Sequence, residues 1–268
     1  MKTHTTHTLT RAKGRETLVA VTASDALTAR LAQEAGVDII LVGDSLGMVF
    51  QGRSDTLGVT MDQMVYHSQC VSRGAPSTFR VGDMPFMTFQ VNAQETVRHA
   101  GRLLAEGSVH AVKIEGAGKR CEGIKACVEE GIPVMGHVGL TPQSVHALGG
   151  FRVQRDAARI LEDALAVQEA GAFSVVLEGM PSDIAQTITR DLRIPTIGIG
   201  AGPSCDGQIL VWHDLLGLTQ EPRPRFVKVF SNLGSAALKG LKTYAKEVRN
   251  GSYPSTRHSY PSSKGVKE

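Results

Sequence analysis

Long apolar runs are what this chain most clearly lacks. No stretch approaches the about 18–20 consecutive apolar residues that span a bilayer. The N-terminal MKTHTTHTLTRAKGRE has no apolar segment of secretory type. Neither a membrane partner nor secretion is expected. Cysteine is also scarce: Cys70, Cys121, Cys127 and Cys205 form no CxxC pair and no zinc-type spacing. That excludes a disulfide scaffold or zinc module and fits reduced thiols in a cytoplasmic protein. Aromatic residues make up 5% and the formal net charge is only +3. Without a basic stripe interleaved with aromatics, a nucleic-acid partner is not expected either. The first residues are basic, Thr-rich and free of acids before Glu16, so an organelle transit segment stays open as an alternative.

What the chain does have is a rhythm. Apolar runs predict strands at 17–23, 38–43, 77–83, 110–115, 132–137, 173–178, 194–199 and 208–212. Patterns with apolar residues three and four apart predict helices at 25–36, 59–73, 94–106, 118–130, 157–170, 182–192 and 234–249. The strands read as apolar on both faces, which implies a parallel sheet covered by helices. Eight strand–helix units in about 250 residues predict an α/β fold, a closed (β/α)8 TIM barrel rather than an open doubly wound sheet. Residues 1–250 are expected to form this single domain with its N-terminal segment, and 251–268 a polar, mobile tail rich in Ser and Pro.

In such a barrel, chemistry gathers where the strands end, because the βα loops converge there. Polar residues follow the apolar runs at these ends: Asp44 and Ser45, Asp83, Lys113 and Glu115, His137, and Glu178. Each alone has a plain structural reading. Asp44 suits a turn cap, Lys113 and Glu115 a pair on one strand face, and His137 a satisfied core histidine. A charge placed at random directly after a buried run is expensive, so the set as a whole points to a site. Three carboxylates at one barrel mouth repel one another unless a cation sits among them. Asp44, Asp83 and Glu115 are hard oxygen donors, which suit Mg2+ better than zinc. Ser45 and Lys113 are placed to meet an anionic substrate, and Glu178 stands apart as a general base. Metal, lysine and base together describe proton abstraction beside a carbonyl. The glycine run IGIGAG (197–202) has neither GxGxxG spacing nor a P-loop lysine, so phosphate cradling and close packing both remain open.

Several longer motifs carry a resemblance. They are VGDSLGMVFQGRSDTLGVTMDQMVYHSQCVSRGA, VGDMPFMTFQ, VKIEG, GHVGLTPQSVHALGGFRVQ, LEGMP and IPTIGIGAGPSCDGQILVWHD. Together they resemble the 3-methyl-2-oxobutanoate hydroxymethyltransferase (ketopantoate hydroxymethyltransferase) family, from about residue 10 to 258. The resemblance implies a barrel of the phosphoenolpyruvate/pyruvate type and the first committed step of pantothenate synthesis. A hydroxymethyl group would pass from 5,10-methylenetetrahydrofolate to the oxoacid, giving 2-dehydropantoate. Carried over by residue, it implies Mg2+ at Asp44, Asp83 and Glu115, and oxoacid binding at Asp44, Ser45, Asp83 and Lys113. Glu178 would be the proton acceptor and His137 a supporting, proton-handling residue. A homodecamer built as a pentamer of dimers is implied as well. One departure stands out: Arg155-Asp156 follows Gln154 directly, about three residues short of the family's usual connection. Two other readings stay open: a Mg2+-enolate lyase or mutase of the same superfamily, which needs no folate, and a non-catalytic metabolite-binding barrel using the glycine run.

Overall fold

The computed structural model describes residues 3–219 and 223–261. Eight strands follow in chain order, with helices between all neighbours but β7 and β8: β1 (Leu18–Thr22), β2 (Ile39–Val42), β3 (Phe79–Asp83), β4 (Ala111–Glu115), β5 (Val134–Gly139), β6 (Ser174–Glu178), β7 (Thr196–Ile199) and β8 (Gly207–Leu210). Each pairs in parallel with its neighbour, and β8 returns to β1 with Leu18 opposite Gly207, so the sheet is a closed barrel. The helices are α1 (Thr6–Arg11), α2 (Ala26–Glu34), α3 (Leu46–Val49), α4 (Met61–Gly74), α5 (Ala93–Ala105), α6 (Arg120–Glu129), α7 (Ala157–Glu169), α8 (Ser182–Asp191), α9 (Trp212–Leu215) and α10 (Leu233–Asn250).

Local chemistry starts these helices where the strands release the chain. The Asp25 carboxylate accepts from the Leu27 and Thr28 amides at the head of α2. Thr60 and Gln63 cap each other reciprocally at the head of α4, and Asn92 and Asp156 cap α5 and α7. Such caps satisfy amides that the first helical turn leaves unpaired, worth about 1 kcal/mol each.

The barrel interior is filled by side chains two apart on each strand: Ile39 and Leu41, Phe79 and Val81, Ala111, Met135, Val176, Ile197 and Ile209. Leu9 and Ala12 join this core from α1 and the residue after it. The sequence reading had no helix here, because α1 is short and Thr-rich. Its place is fixed by long-range contacts: His4 Nε2 lies 2.9 Å from Asp38 Oδ1, and Lys13 Nζ 2.8 Å from Asp206 Oδ2.

The expectation of strands buried on both faces fails at β1 and β8. Val19 is 50% exposed, and its register partner Gln208 is exposed too. The strands β2 to β6 run into crossover segments that contain a helix, whereas β7 reaches β8 through residues 200–206 without one and β8 is followed by a helix of only four residues.

Contacts divide the chain into two compact units. One runs to Trp212 and includes Pro224–Val227; the other holds His213–Arg223 and the chain from Lys228 onward. In this division α10 falls in the second unit. That helix opens with an Asn232 cap and closes at Gly251, whose φ of 73° few residues but glycine adopt. The expected mobile tail begins with Tyr253 packed against Tyr244 and His258. Residues 262–268 of that expectation lie outside the described residues.

Candidate active site

Strand parity carries the polar set into the barrel mouth. Side chains alternate across a strand, so a residue two beyond an inward core residue also points inward. Val81 is followed in this way by Asp83, Ala111 by Lys113 and then Glu115, Met135 by His137, and Val176 by Glu178. Register keeps them adjacent, with Asp83 opposite Lys113 and Glu115 opposite His137. Asp44 arrives differently, from the turn after β2, where its backbone amide donates to Asp83 Oδ2 at 3.0 Å.

Asp44, Asp83, Lys113, Glu115 and His137 are all buried, each no more than 6% exposed. Glu178 is less enclosed, with 16% of its side chain exposed. Lys113 Nζ stands 2.9 Å from Asp83 Oδ1, 3.1 Å from His137 Nδ1 and 3.9 Å from Glu115 Oε1. The plain pairing of Lys113 with Glu115 is thus the weaker contact. His137 bridges the two ends of the set, with Nδ1 3.6 Å from Glu115 Oε1 and Nε2 3.2 Å from Glu178 Oε2. The latter is close but not aligned as a hydrogen bond.

The charges strain one another in a consistent way. Burial, with the Asp83 and Glu115 charges, pushes the Asp44 carboxyl well above its usual 3.8. Burial also raises Asp83, although Lys113 opposes it. Burial would raise Glu115 too, but its contacts with His137 and Lys113 hold it below its ordinary value. Lys113 stays far on the charged side, because Asp83, Glu115 and Asp44 outweigh its burial. For His137, burial and the Lys113 charge pull downward, and Glu115 and Glu178 overcome both, raising it to about 9. Lys113 Nζ lies 3.1 Å from Nδ1, which can accept from the ammonium only in the neutral ring, and the proton of that tautomer is on Nε2, toward Glu178.

Ser45 begins α3 without making a side-chain cap, and Asp44 caps nothing. Its Oδ2 instead accepts from Gln143 Nε2 at 2.8 Å. Gly43 leaves room here: a Cβ at that position would stand 3.0 Å from Ser45 Oγ and 3.4 Å from Asp83 Oδ2. The glycines of the 197–202 run have packing reasons of their own. A Cβ on Gly200 would meet the Phe226 ring at 2.7 Å, and one on Gly202 would collide with Ser182. Both adopt positive φ, 59° and 79°. Close packing therefore accounts for this run.

The short connection after Gln154 lies beside the end of β6, where Glu178 stands. The Gln154 amide donates to the Gly179 carbonyl at 2.8 Å, next to Glu178, and Asp156 at once caps α7. Sequence reasoning gave Gln143 and Gln90 no role, although both lie in quoted motifs. No periodic signal links Gln143 to Asp44, 99 positions away.

Among the described residues, no three His, Cys, Asp or Glu side chains stand together as a ready metal cage. The donor set still suits a hard divalent cation. Three buried carboxylates share one ammonium, and Mg2+ is commonly held by one or two carboxylates while keeping waters and open positions for substrate. Asp44 and Glu115 are the residues able to contribute such oxygens, with Asp83 tied to Lys113.

The family model for ketopantoate hydroxymethyltransferase matches residues 3–256. A 3-methyl-2-oxobutanoate hydroxymethyltransferase of Desulforapulum autotrophicum is 56% identical, over 96% of this chain and 98% of its own length. One of Pelobacter propionicus is 53% identical, over 92% and 93%. Among solved structures, a phosphonopyruvate hydrolase complex with oxalate and Mg2+ matches with a TM-score of 0.64 at 15% identity, covering 97% of this chain and 93% of that one. A 2,3-dimethylmalate lyase of the PEP mutase/isocitrate lyase superfamily matches at 0.62 and 20% identity, with the same coverage. The two solved structures speak for the barrel fold alone. The chain belongs to the ketopantoate hydroxymethyltransferase family.

Proposed function

We propose that the chain transfers a hydroxymethyl group from 5,10-methylenetetrahydrofolate to 3-methyl-2-oxobutanoate, giving 2-dehydropantoate for pantothenate synthesis. Family membership supports the overall reaction. The observation that carries the site is the inward alignment of Asp83, Lys113, Glu115, His137 and Glu178 on four consecutive strands.

Asp44 and Glu115, with Asp83 near them, would hold a divalent cation, Mg2+ by donor chemistry. When bound, it supplies Lewis-acid stabilisation for negative charge developing on the oxoacid oxygens. The chain's own groups do the rest. Ser45 Oγ and the amides around it orient the substrate carboxylate, and the Lys113 ammonium offsets charge near the carbonyl. Glu178 takes the proton from C3. One carbon–nitrogen bond of the folate methylene opens to an iminium, water adds to it, and the second carbon–nitrogen bond breaks, so that tetrahydrofolate leaves with a proton on each nitrogen and the one-carbon unit is freed as formaldehyde. The C3 carbanion adds to that carbon, and the resulting alkoxide takes up a proton to become the hydroxymethyl group. His137, its Nε2 proton facing Glu178, steadies that carboxylate and is placed to handle the proton it removes.

The same reading includes a homo-oligomer, for which a decamer is the expectation. Leu238, Leu241, Tyr244 and Val248 form an exposed apolar stripe on α10, which supports association. Among the described residues no helix is long and apolar enough to cross a membrane. The test of the reaction is product formation from 3-methyl-2-oxobutanoate with and without methylenetetrahydrofolate and Mg2+. Turnover of an oxoacid without any folate would favour a lyase or mutase instead.

A further inference from the structure

Gln143 lies in the loop between β5 and α7, inside a tight turn over Pro142–Ser144, and is 7% exposed. Both of its side-chain N–H donors and its side-chain oxygen are engaged. Nε2 donates to Asp44 Oδ2 at 2.8 Å and to the Met84 carbonyl at 2.9 Å. Oε1 accepts from Gln90 Nε2 at 3.0 Å, which fixes the amide the right way round. Its backbone amide, meanwhile, donates to Glu115 Oε2 at 3.0 Å. One residue therefore holds a carboxylate from the β2 end and another from the β4 end.

The two contacts have a common consequence. Each carboxylate has one oxygen engaged by Gln143; Asp44 Oδ1 has no hydrogen-bond donor aligned on it among the described residues, and Glu115 Oε1 faces His137 Nδ1 at 3.6 Å and Lys113 Nζ at 3.9 Å. A carboxylate with both oxygens free to turn would sample many orientations, and two such groups would swing apart under their mutual repulsion. We propose that Gln143 is a positioning residue: it locks the Asp44 and Glu115 carboxylates so that one oxygen of each is presented to a divalent cation. Seating of the β5–α7 loop and formation of the cation site then become one event. Gln90 takes part by orienting the Gln143 amide. This inference rests on the cation reading above and adds to it the residue that sets the ligand geometry.

Outer partners of metal ligands typically govern affinity by 10–100-fold. The test is Mn2+ binding to the full-length protein, followed by electron paramagnetic resonance of free Mn2+, for the unsubstituted chain, Gln143→Leu and Gln90→Leu. Gln143→Leu keeps the volume and loses the side-chain donors. It is expected to bind Mn2+ about 10–100-fold more weakly, with metal-free thermal unfolding close to that of the unsubstituted protein. Its metal activation constant should rise by a similar factor while kcat at saturating metal largely recovers. Gln90→Leu should shift Mn2+ affinity in the same direction by a smaller factor. Unchanged Mn2+ affinity in Gln143→Leu, or lost kcat with unchanged affinity, overturns the inference alone. If Gln143→Leu does not fold, Gln90→Leu decides, and unchanged affinity there overturns it. Absence of Mn2+ binding by the unsubstituted chain overturns the cation reading and this inference with it.

Discussion

Asp83 and Lys113 are register partners on β3 and β4, and their charged ends meet 2.9 Å apart inside the barrel mouth. The pairing engages both groups and bears on the base proposed above. Lys113 is held far on its charged side despite complete burial, so it serves as a fixed positive charge and not as a proton acceptor. Asp83 is tied to it and also receives the Asp44 amide. Glu178, with part of its side chain open to solvent and His137 Nε2 3.2 Å away, is the carboxylate proposed above to take a substrate proton.

Glu178→Gln should retain oxoacid binding and lose exchange of the C3 proton. Loss of a positioned general base typically costs about 10²–10⁴-fold in rate. Proton NMR of 3-methyl-2-oxobutanoate in D2O, with metal present and folate omitted, reads the exchange directly. Exchange at the normal rate in this variant removes Glu178 from the base role.

Metal-free stability should depend on pH through Asp44. Its pKa is raised in the fold by burial and by the neighbouring carboxylates. Below the unfolded value near 3.8 the group is protonated in both states and carries no penalty. As pH rises through the folded pKa, the stabilisation it gave when neutral is lost. Asp44→Asn stays neutral, so in EDTA it should be more stable than the unsubstituted chain at pH 7. The gap should close toward pH 4. Urea unfolding across that range measures it, and a gap that is absent or reversed contradicts the repulsion described above.

A divalent cation bound among these carboxylates should relieve the same repulsion. Adding Mg2+ at 100 times its dissociation constant stabilises a protein by about 2.7 kcal/mol if only the folded state binds. Calorimetry should therefore show a higher Tm with Mg2+ at pH 8, a smaller rise at pH 5, and no rise in Asp44→Asn. An equal rise in that variant would point to a cation bound elsewhere.

Gly43→Ala should fold normally and work poorly. The new methyl would press on Ser45 Oγ and border Asp83 Oδ2 without meeting backbone. Ser45 can rotate away, so the expected loss lies in substrate orientation, where a displacement of 1 Å can cost about 10²-fold. Steady-state kinetics and a thermal melt together separate this from misfolding. Full activity would show that Ser45 does not hold the substrate.

The alternation of apolar runs and helical patterns made the barrel legible, because β2 to β7 are enclosed on both faces. Those strands and their helices lie within two or three residues of where the sequence placed them. It misled at β1 and β8, where the same apolar composition leaves Val19 exposed. It also gave no sign of α1, whose Leu9 matters through contacts far away in the chain.

By itself the sequence determined the candidate chemistry: a polar residue directly after a buried run, repeated at five strand ends, is visible without coordinates because burial makes each one costly. Spacing along the chain also fixed that Lys113 and Glu115 share a face. Tertiary structure alone decided the partnerships. That Lys113 faces Asp83 rather than Glu115, that His137 spans Glu115 and Glu178, and that Gln143 reaches Asp44 all follow from strand register and loop path. Hydrogen bonds and charges act over a few ångströms of space, and the chain's periodicities say nothing about groups brought that close from 99 positions apart.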